Sequence, residues 1–135
     1  MIIGIGTDIL HLERINKIII KYDQKFIDRF YGKNEIEISK SKLINSMNYF
    51  GKRFSGKEAT WKALSATRGK GLFFREIEIL NDINGKPYLF FSGKTKEFIE
   101  KKEKKFKAKL KFDISLSDDT PFVISFVVIS LAPYV

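Results

Sequence analysis

Two acidic residues fifty positions apart carry the main chemical signal of this sequence. Asp8 closes Gly4-Ile5-Gly6-Thr7-Asp8, and Glu58 lies inside Arg53-Phe54-Ser55-Gly56-Lys57-Glu58-Ala59-Thr60-Trp61-Lys62-Ala63. A hard divalent cation such as magnesium is held by one or two carboxylates and completes its shell with water and substrate phosphate oxygens. Arg53, Lys57 and Lys62 place three cations around Glu58, and small residues, Gly56 and Ala59, flank the Lys57-Glu58 pair. If Asp8 and Glu58 meet in space, the mixture suits a magnesium-bound pyrophosphate: carboxylates for the metal, ammonium groups for the remaining charge. Each half also has a plainer reading. Asp8 at a strand end suits a cap for a helix starting at Leu12, and Glu58 with Lys62 at i, i+4 is an ordinary helical ion pair worth about 0.2–0.5 kcal/mol.

Other chemistries find less support. There is no cysteine, hence no disulfide, thiolate nucleophile or zinc-thiolate site. His11 is the sole histidine and reads as a surface or capping residue. Asp118 and Asp119 fall in a turn, where aspartate serves the backbone. No serine-histidine-aspartate triad follows from spacing. Gly4-Ile5-Gly6 is not a dinucleotide-binding loop, because Ile9 holds the third glycine position and the strand-turn-helix spacing is missing.

The elements that must position these groups are legible from periodicity. Ile2 to Ile9 reads as a buried strand ending at or just after Asp8, with Gly4 and Gly6 admitting a close neighbour. Leu12 to Tyr22 has apolar residues at helical spacing and a separate basic stripe of Arg14, Lys17 and Lys21. Asp23 to Tyr31 suggests a short helix ended by Gly32, and Asn34 to Ile38 another turn. The longest helical pattern runs from about Ile44 to Thr67, with Met47, Phe50, Phe54, Trp61 and Leu64 near one face. Glu76–Leu80 and Tyr88–Phe91 read as strands around an Asn-Gly turn, Thr95–Phe106 as a helix, and Lys109–Ser117 with Phe122–Leu131 as a C-terminal hairpin. The sum is an α+β fold with a mostly antiparallel sheet packed against a long helix and shorter helices. The last strand is apolar or small on both sides, so a helix layer covers one face and the other is free to meet a neighbouring subunit.

A length of 135 residues suits one domain over 1–135, and 44% hydrophobic content with 13 phenylalanines excludes disorder. No apolar run approaches the roughly 18–20 residues of a membrane span, and Gly4, Gly6 and Asp8 interrupt the start too early for a signal peptide, so a cytoplasmic protein without membrane partners is expected. The net charge of +9 calls for an anionic partner. From Lys94 to Lys111 nine lysines face three glutamates. That run reads as a solvated helix, with a basic nucleic-acid-binding module as the competing reading. Arginines are few: Arg14, Arg29, Arg53, Arg68 and Arg75.

Taken in order, Met1-Ile2-Ile3-Gly4-Ile5-Gly6-Thr7-Asp8-Ile9, Glu13-Arg14-Ile15, Lys52-Arg53-Phe54, Lys57-Glu58-Ala59, Lys62-Ala63, Asn84-Gly85-Lys86-Pro87 and Ser115-Leu116-Ser117-Asp118 resemble the holo-[acyl-carrier-protein] synthase family over nearly the whole chain. The resemblance implies the 4'-phosphopantetheinyl transferase fold. It implies transfer of 4'-phosphopantetheine from coenzyme A to a serine of apo acyl carrier protein, releasing adenosine 3',5'-bisphosphate, in support of fatty acid biosynthesis. Asp8 and Glu58 match magnesium ligands, Glu58 and Lys62 the catalytic positions, and Lys62 the pyrophosphate-binding lysine. Arg53, Lys57, Lys62, Ser65, Asn84, Gly85, Lys86, Pro87 and Asp118 match the coenzyme A contacts. The resemblance further implies a homotrimer with sites between subunits, and carrier docking by Arg14, Lys17 and Lys21. A base is needed for the serine proton, either Glu58 or a metal-bound water. Ser65-Ala66-Thr67 stands where the family has Gly-Thr-Gly, and Asp118 where histidine is common. A non-catalytic trimeric relative is the remaining alternative.

Overall fold

In the computed structural model, residues 1–41, 46–65 and 72–133 are described. The chain runs β1 (Ile2–His11), α1 (Leu12–Tyr22), α2 (Gln24–Phe30), α3 (Lys33–Ser39), α4 (Ser46–Ala63), a 3-10 turn (Phe74–Glu76), β2 (Ile77–Asn81), β3 (Pro87–Phe91), α5 (Gly93–Phe106), β4 (Lys109–Asp119) and β5 (Phe122–Ala132). This is the expected α+β order, and every strand pair is antiparallel. The strands divide, however, into a three-stranded sheet β1-β5-β4 and a separate two-stranded sheet β2-β3.

The long helix α4 lies against the three-stranded sheet. Alternation along β5 sends Val123, Ser125, Val127 and Ile129 into the interior, and each buried aliphatic side chain contributes about 1.5–3 kcal/mol. One core gathers Ala59, Ala63, Leu64, Leu72, Ile79, Ile114, Val127 and Ile129, and a second joins Leu10, Ile15, Phe26, Tyr31, Tyr49 and Phe50. Contact between β1 and α4 is unusually close. A Cβ on Gly6 would lie 2.7 Å from the Ala63 nitrogen and nearer still to the Ala59 carbonyl oxygen, and one on Gly4 would meet the Ala63 carbonyl. The glycines admit the helix, as the sequence suggested, and so bring the rest of β1 within reach of α4 side chains.

Several boundaries differ from expectation. β1 continues past Asp8 to His11, so Asp8 sits mid-strand opposite Ser125 rather than at a strand end. It does not cap α1; His11 does, its Nδ1 accepting the Glu13 backbone N–H at 3.2 Å. Gly32 is not a left-handed stop to α2. It is the N-cap of α3 with φ −82°, and its missing side chain makes room for the Glu78 carboxylate, which accepts the backbone N–H groups of Asn34 and Glu35. The helix expected over 44–67 spans Ser46–Ala63, and its outer ends at 44–45 and 66–67 lie outside the described residues. Of its apolar stripe, Phe50 and Leu64 are buried, Phe54 and Trp61 half-buried, and Met47 exposed in the first turn.

The opposite face of the three-stranded sheet is open, so β1, expected to be a buried strand, is covered on one side only. Ile5 (58% exposed), Ile9 (65%), Phe122, Ile124 and Phe126 (43%) form its surface. Adjacent pairing of Ile9 with Ile124 makes this a continuous apolar patch. The lysines of α5 mostly point to solvent, while Ile99 packs inward and the buried Glu103 carboxylate accepts the Leu110 N–H at 2.9 Å.

Candidate active site

Strand alternation points Asp8 toward α4, on the same side as Gly6 and Leu10. Its Oδ2 accepts the Ser55 hydroxyl at 2.9 Å, and its Oδ1 lies 3.4 Å from the Lys62 ammonium. Lys62 also donates to the Thr7 carbonyl at 3.0 Å. Ser55 is itself tied down: its hydroxyl is 2.7 Å from that of Ser125, which donates to the Ser55 carbonyl at 2.7 Å. Ser55 and Lys62 lie two turns apart on α4 with Glu58 between them, about 40° around the axis from Lys62. One stripe of the helix thus carries Ser55, Glu58 and Lys62, and two of the three touch Asp8.

Glu58 lines a cleft of about 510 Å³ whose floor is aromatic and whose rim carries Arg29 and Arg75. Phe74 forms the centre of the floor, with ring centroids 5.1 Å from Trp61, 5.7 Å from Phe54 and 5.9 Å from Phe30. Sequence reasoning named neither Arg29 nor Arg75 as a site residue, because they flank no motif. The available signal was their type: each is an arginine in a chain that otherwise prefers lysine.

The expectation that Arg53, Lys57 and Lys62 surround Glu58 is corrected. An α-helix advances about 100° per residue, so Lys57 lies about 100° and Arg53 about 140° from Glu58. Lys57 is fully buried. Its ammonium donates to Glu35 at 2.6 Å, to the Phe74 carbonyl at 2.9 Å and to the Ile77 carbonyl. Three donors meet three acceptors, which leaves none for a phosphate, and Lys57 is an interior residue of this chain. Burial pulls the Lys57 ammonium below its ordinary range, opposed by the Glu35 charge, and pushes the Glu35 carboxyl up, opposed by Lys57. Burial also raises the Tyr49 phenol to about 12, against the opposing pull of the Arg53 charge.

Arg53 is brought to a second locality. Its guanidinium lies 4.2 Å over the Tyr49 ring and donates to the Asn81 side chain. Asn81 in turn donates to the Gly85 carbonyl at 2.9 Å, and Asp82 accepts the N–H groups of Asn84 and Lys86 at 2.9 Å each. Arg53 therefore braces the Asn84-Gly85-Lys86-Pro87 turn, in which Gly85 takes φ +82°, a conformation that favours glycine. Asp118 and Asp119, expected in a turn, are instead the last residues of β4, paired with Val123 and Phe122 of β5, and Asp118 also pairs with Lys52 at 3.3 Å. Ser65 follows α4 in a left-handed conformation, φ +51°, with its N–H on the Lys62 carbonyl. That is a conformation glycine adopts more readily; Ala66 and Thr67 lie outside the described residues. Arg14, Lys17 and Lys21 are all exposed on α1, and Lys17 pairs with Glu13 at 3.2 Å.

Comparison with known proteins identifies the family. Residues 4–124 match the family model of the 4'-phosphopantetheinyl transferase superfamily. The chain is 46% identical over 131 residues to a holo-[acyl-carrier-protein] synthase of Orientia tsutsugamushi (strain Boryong), covering 96% of this chain and 98% of that protein. Its structure is similar to the crystal structure of the Neisseria meningitidis holo-[acyl-carrier-protein] synthase, with a TM-score of 0.85, 33% identity, and 96% and 99% of the two chains covered. It is also similar to the Helicobacter pylori holo-[acyl-carrier-protein] synthase in complex with coenzyme A, with a TM-score of 0.74, 32% identity, and 93% and 99% covered. Together with the carboxylate, hydroxyl and ammonium groups assembled where β1 meets α4, these matches show that the chain belongs to the holo-[acyl-carrier-protein] synthase family of the 4'-phosphopantetheinyl transferase superfamily.

Proposed function

We propose that residues 1–135 form one transferase domain in which Asp8 and Glu58 hold magnesium, Lys62 binds the pyrophosphate of coenzyme A, and the subunits of a homotrimer complete each other's sites. The chain acts as a holo-[acyl-carrier-protein] synthase, moving 4'-phosphopantetheine from coenzyme A to acyl carrier protein. The observation that carries the residue assignment is the Asp8 carboxylate, held by Ser55 and Lys62 on the helix stripe that presents Glu58 to the cleft. Among the described residues there is no cluster of three or more histidine, cysteine or acidic side chains. A pair of carboxylates suits magnesium, which usually takes its other ligands from water and phosphate. When bound, the cation withdraws charge from the phosphate oxygens.

In the reaction, the carrier serine oxygen forms a bond to the β-phosphorus of coenzyme A. The bond from that phosphorus to the bridging oxygen breaks, and adenosine 3',5'-bisphosphate leaves. Lys62, with its ammonium half-exposed, can shift from the long 3.4 Å contact with Asp8 toward the oxygen on which charge builds. Glu58, which lines the cleft, is the proposed acceptor of the serine proton.

Two features support shared sites. Arg53 and the Asn84-Gly85-Lys86-Pro87 turn lie on a different side of α4 from Glu58, so a nucleotide held by that turn and a pyrophosphate held at Lys62 fit best across two protomers. The apolar face of Ile5, Ile9, Ile124 and Phe126 supplies the surface through which protomers would pack. Asp118, paired to Lys52, lies in β4 near the β4–β5 turn, and Ser65 follows the helix end that carries Lys62. Arg29 and Arg75 on the cleft, and Arg14, Lys17 and Lys21 exposed on α1, offer cations to an acidic carrier, in keeping with the +9 net charge. No described helix is long and apolar enough to cross a membrane, and the proposed location of the enzyme is the cytoplasm, beside the carrier it would modify. Incubation of the protein with coenzyme A, magnesium and apo carrier protein tests the reading. A carrier heavier by one phosphopantetheine is expected, and an unchanged carrier mass refutes it.

A further inference from the structure

The buried ion pair of Lys57 and Glu35 is left unused by the reaction, although Lys57 is the neighbour of Glu58. Its partners are specific. The two carbonyls that Lys57 holds belong to Phe74 and Ile77, which bracket Arg75 and Glu76 in the 3-10 turn. Glu35 Oε1 accepts Lys57 and the Gly32 N–H, and Oε2 accepts the Ile79 N–H at 3.0 Å. One fully buried pair therefore ties α4 to α3, to the start of β2 and to the turn that forms a wall of the cleft. The far side of the same turn is fastened separately: the Glu76 carboxylate accepts the Lys94 and Thr95 N–H groups at the start of α5. Phe74, whose carbonyl Lys57 grips, is the ring on which Trp61 and Phe54 pack.

A buried ion pair is a poor source of stability, since desolvation offsets much of the attraction and apolar residues often serve as well. Its distinguishing property is direction. An ammonium with three fixed acceptors sets the distance between a helix and a loop in a way that apolar packing does not. We infer that Lys57, clamped by Glu35, is a positioning residue that registers the Phe74–Glu76 turn on α4, so that Arg75 stands across the cleft from Glu58 and meets the incoming carrier protein. The inference rests on the assignment of the cleft to carrier docking.

The test is a double-mutant cycle between Lys57→Met and Arg75→Gln, read as KM for apo carrier and as kcat, each measured well below the variant's Tm. Loss of one charge-assisted contact corresponds to about a tenfold effect. Each single variant is expected to raise carrier KM about tenfold, and the double variant no further, because Lys57 acts through Arg75. Additive effects, about a hundredfold in the double variant, overturn the positioning role while leaving the docking role of Arg75 intact. An Arg75→Gln enzyme with unchanged carrier KM refutes the docking assignment itself, and the inference with it. Glu35→Gln supplies a second arm should Lys57→Met fail to fold. It removes the charge that clamps the ammonium, so a raised carrier KM that Arg75→Gln raises no further supports the inference, and a lowered Tm with unchanged carrier KM overturns it.

Discussion

Replacing Gly6 by alanine tests whether the contact between strand and helix sets the site. The added methyl would stand 2.7 Å from the Ala63 nitrogen and closer to the Ala59 carbonyl oxygen, where ordinary non-bonded separations are about 3.5 Å. Backbone lines both sides of the gap, so no side chain can rotate away, and β1 must retreat from α4 by at least roughly 0.8 Å. Asp8 lies two residues along the same face of the strand. If that retreat reaches it, the 2.9 Å bond from Ser55 opens to about 3.7 Å, outside hydrogen-bonding range, and the 3.4 Å contact with Lys62 lengthens similarly. Overpacking of this kind costs about 1–3 kcal/mol of stability, and a displacement near 1 Å at reacting groups costs up to about a hundredfold in rate. Urea denaturation and the carrier mass-shift assay measure the two effects in one preparation. Transfer should fall by far more than the small unfolded fraction accounts for. A Gly6→Ala protein with wild-type denaturation midpoint and rate would refute the claim that the glycine contact positions Asp8.

Three further outcomes are expected. Glu58→Gln should lower transfer by at least about a hundredfold with Tm unchanged, and chelation of magnesium should abolish wild-type activity reversibly; near-normal transfer by the variant at limiting magnesium would count against the assignment. Ile9→Lys places a charge on the open sheet face without touching the interior, so sedimentation should give a mass near the 15.7 kDa protomer and activity should fall with assembly, whereas an unchanged trimer would remove that face from the interface. Tyr49 ionises only near pH 12 in the fold against about 10 in the unfolded chain. Its stabilising contribution is full below pH 10 and lost as the pH rises from 10 toward 12, so Tyr49→Phe should show a shallower alkaline fall in Tm, with equal slopes refuting the linkage.

Much of the fold was open to inspection of the sequence because its causes are local. Helical spacing over Leu12–Tyr22, the apolar strand expected over Phe122–Leu131 and the Asn84-Gly85 turn each depend on residues within a few positions of one another, and all three appear within a residue of where they were expected. The end of β1 was misjudged because Asp8 is polar in a strand whose inward side there faces a serine and a lysine from another element. Gly32 was misread because what it admits, the Glu78 carboxylate, comes from 46 positions further along the chain. Neither fact leaves a local trace.

For the site, residue type and motif order determined the chemistry: paired carboxylates, a neighbouring lysine, a family of transferases. Tertiary packing decided which cations take part. Lys57 and Glu58 are adjacent in sequence, yet about 100° of helix rotation sends one into a fully buried ion pair and the other to a cleft. Arg53 was drawn to the Asn81 turn, while Arg29 and Arg75, absent from every motif, were gathered onto the rim. Sequence alone could name the groups able to hold a charged phosphate. Only the phase of α4 against two sheets could say which of them face it.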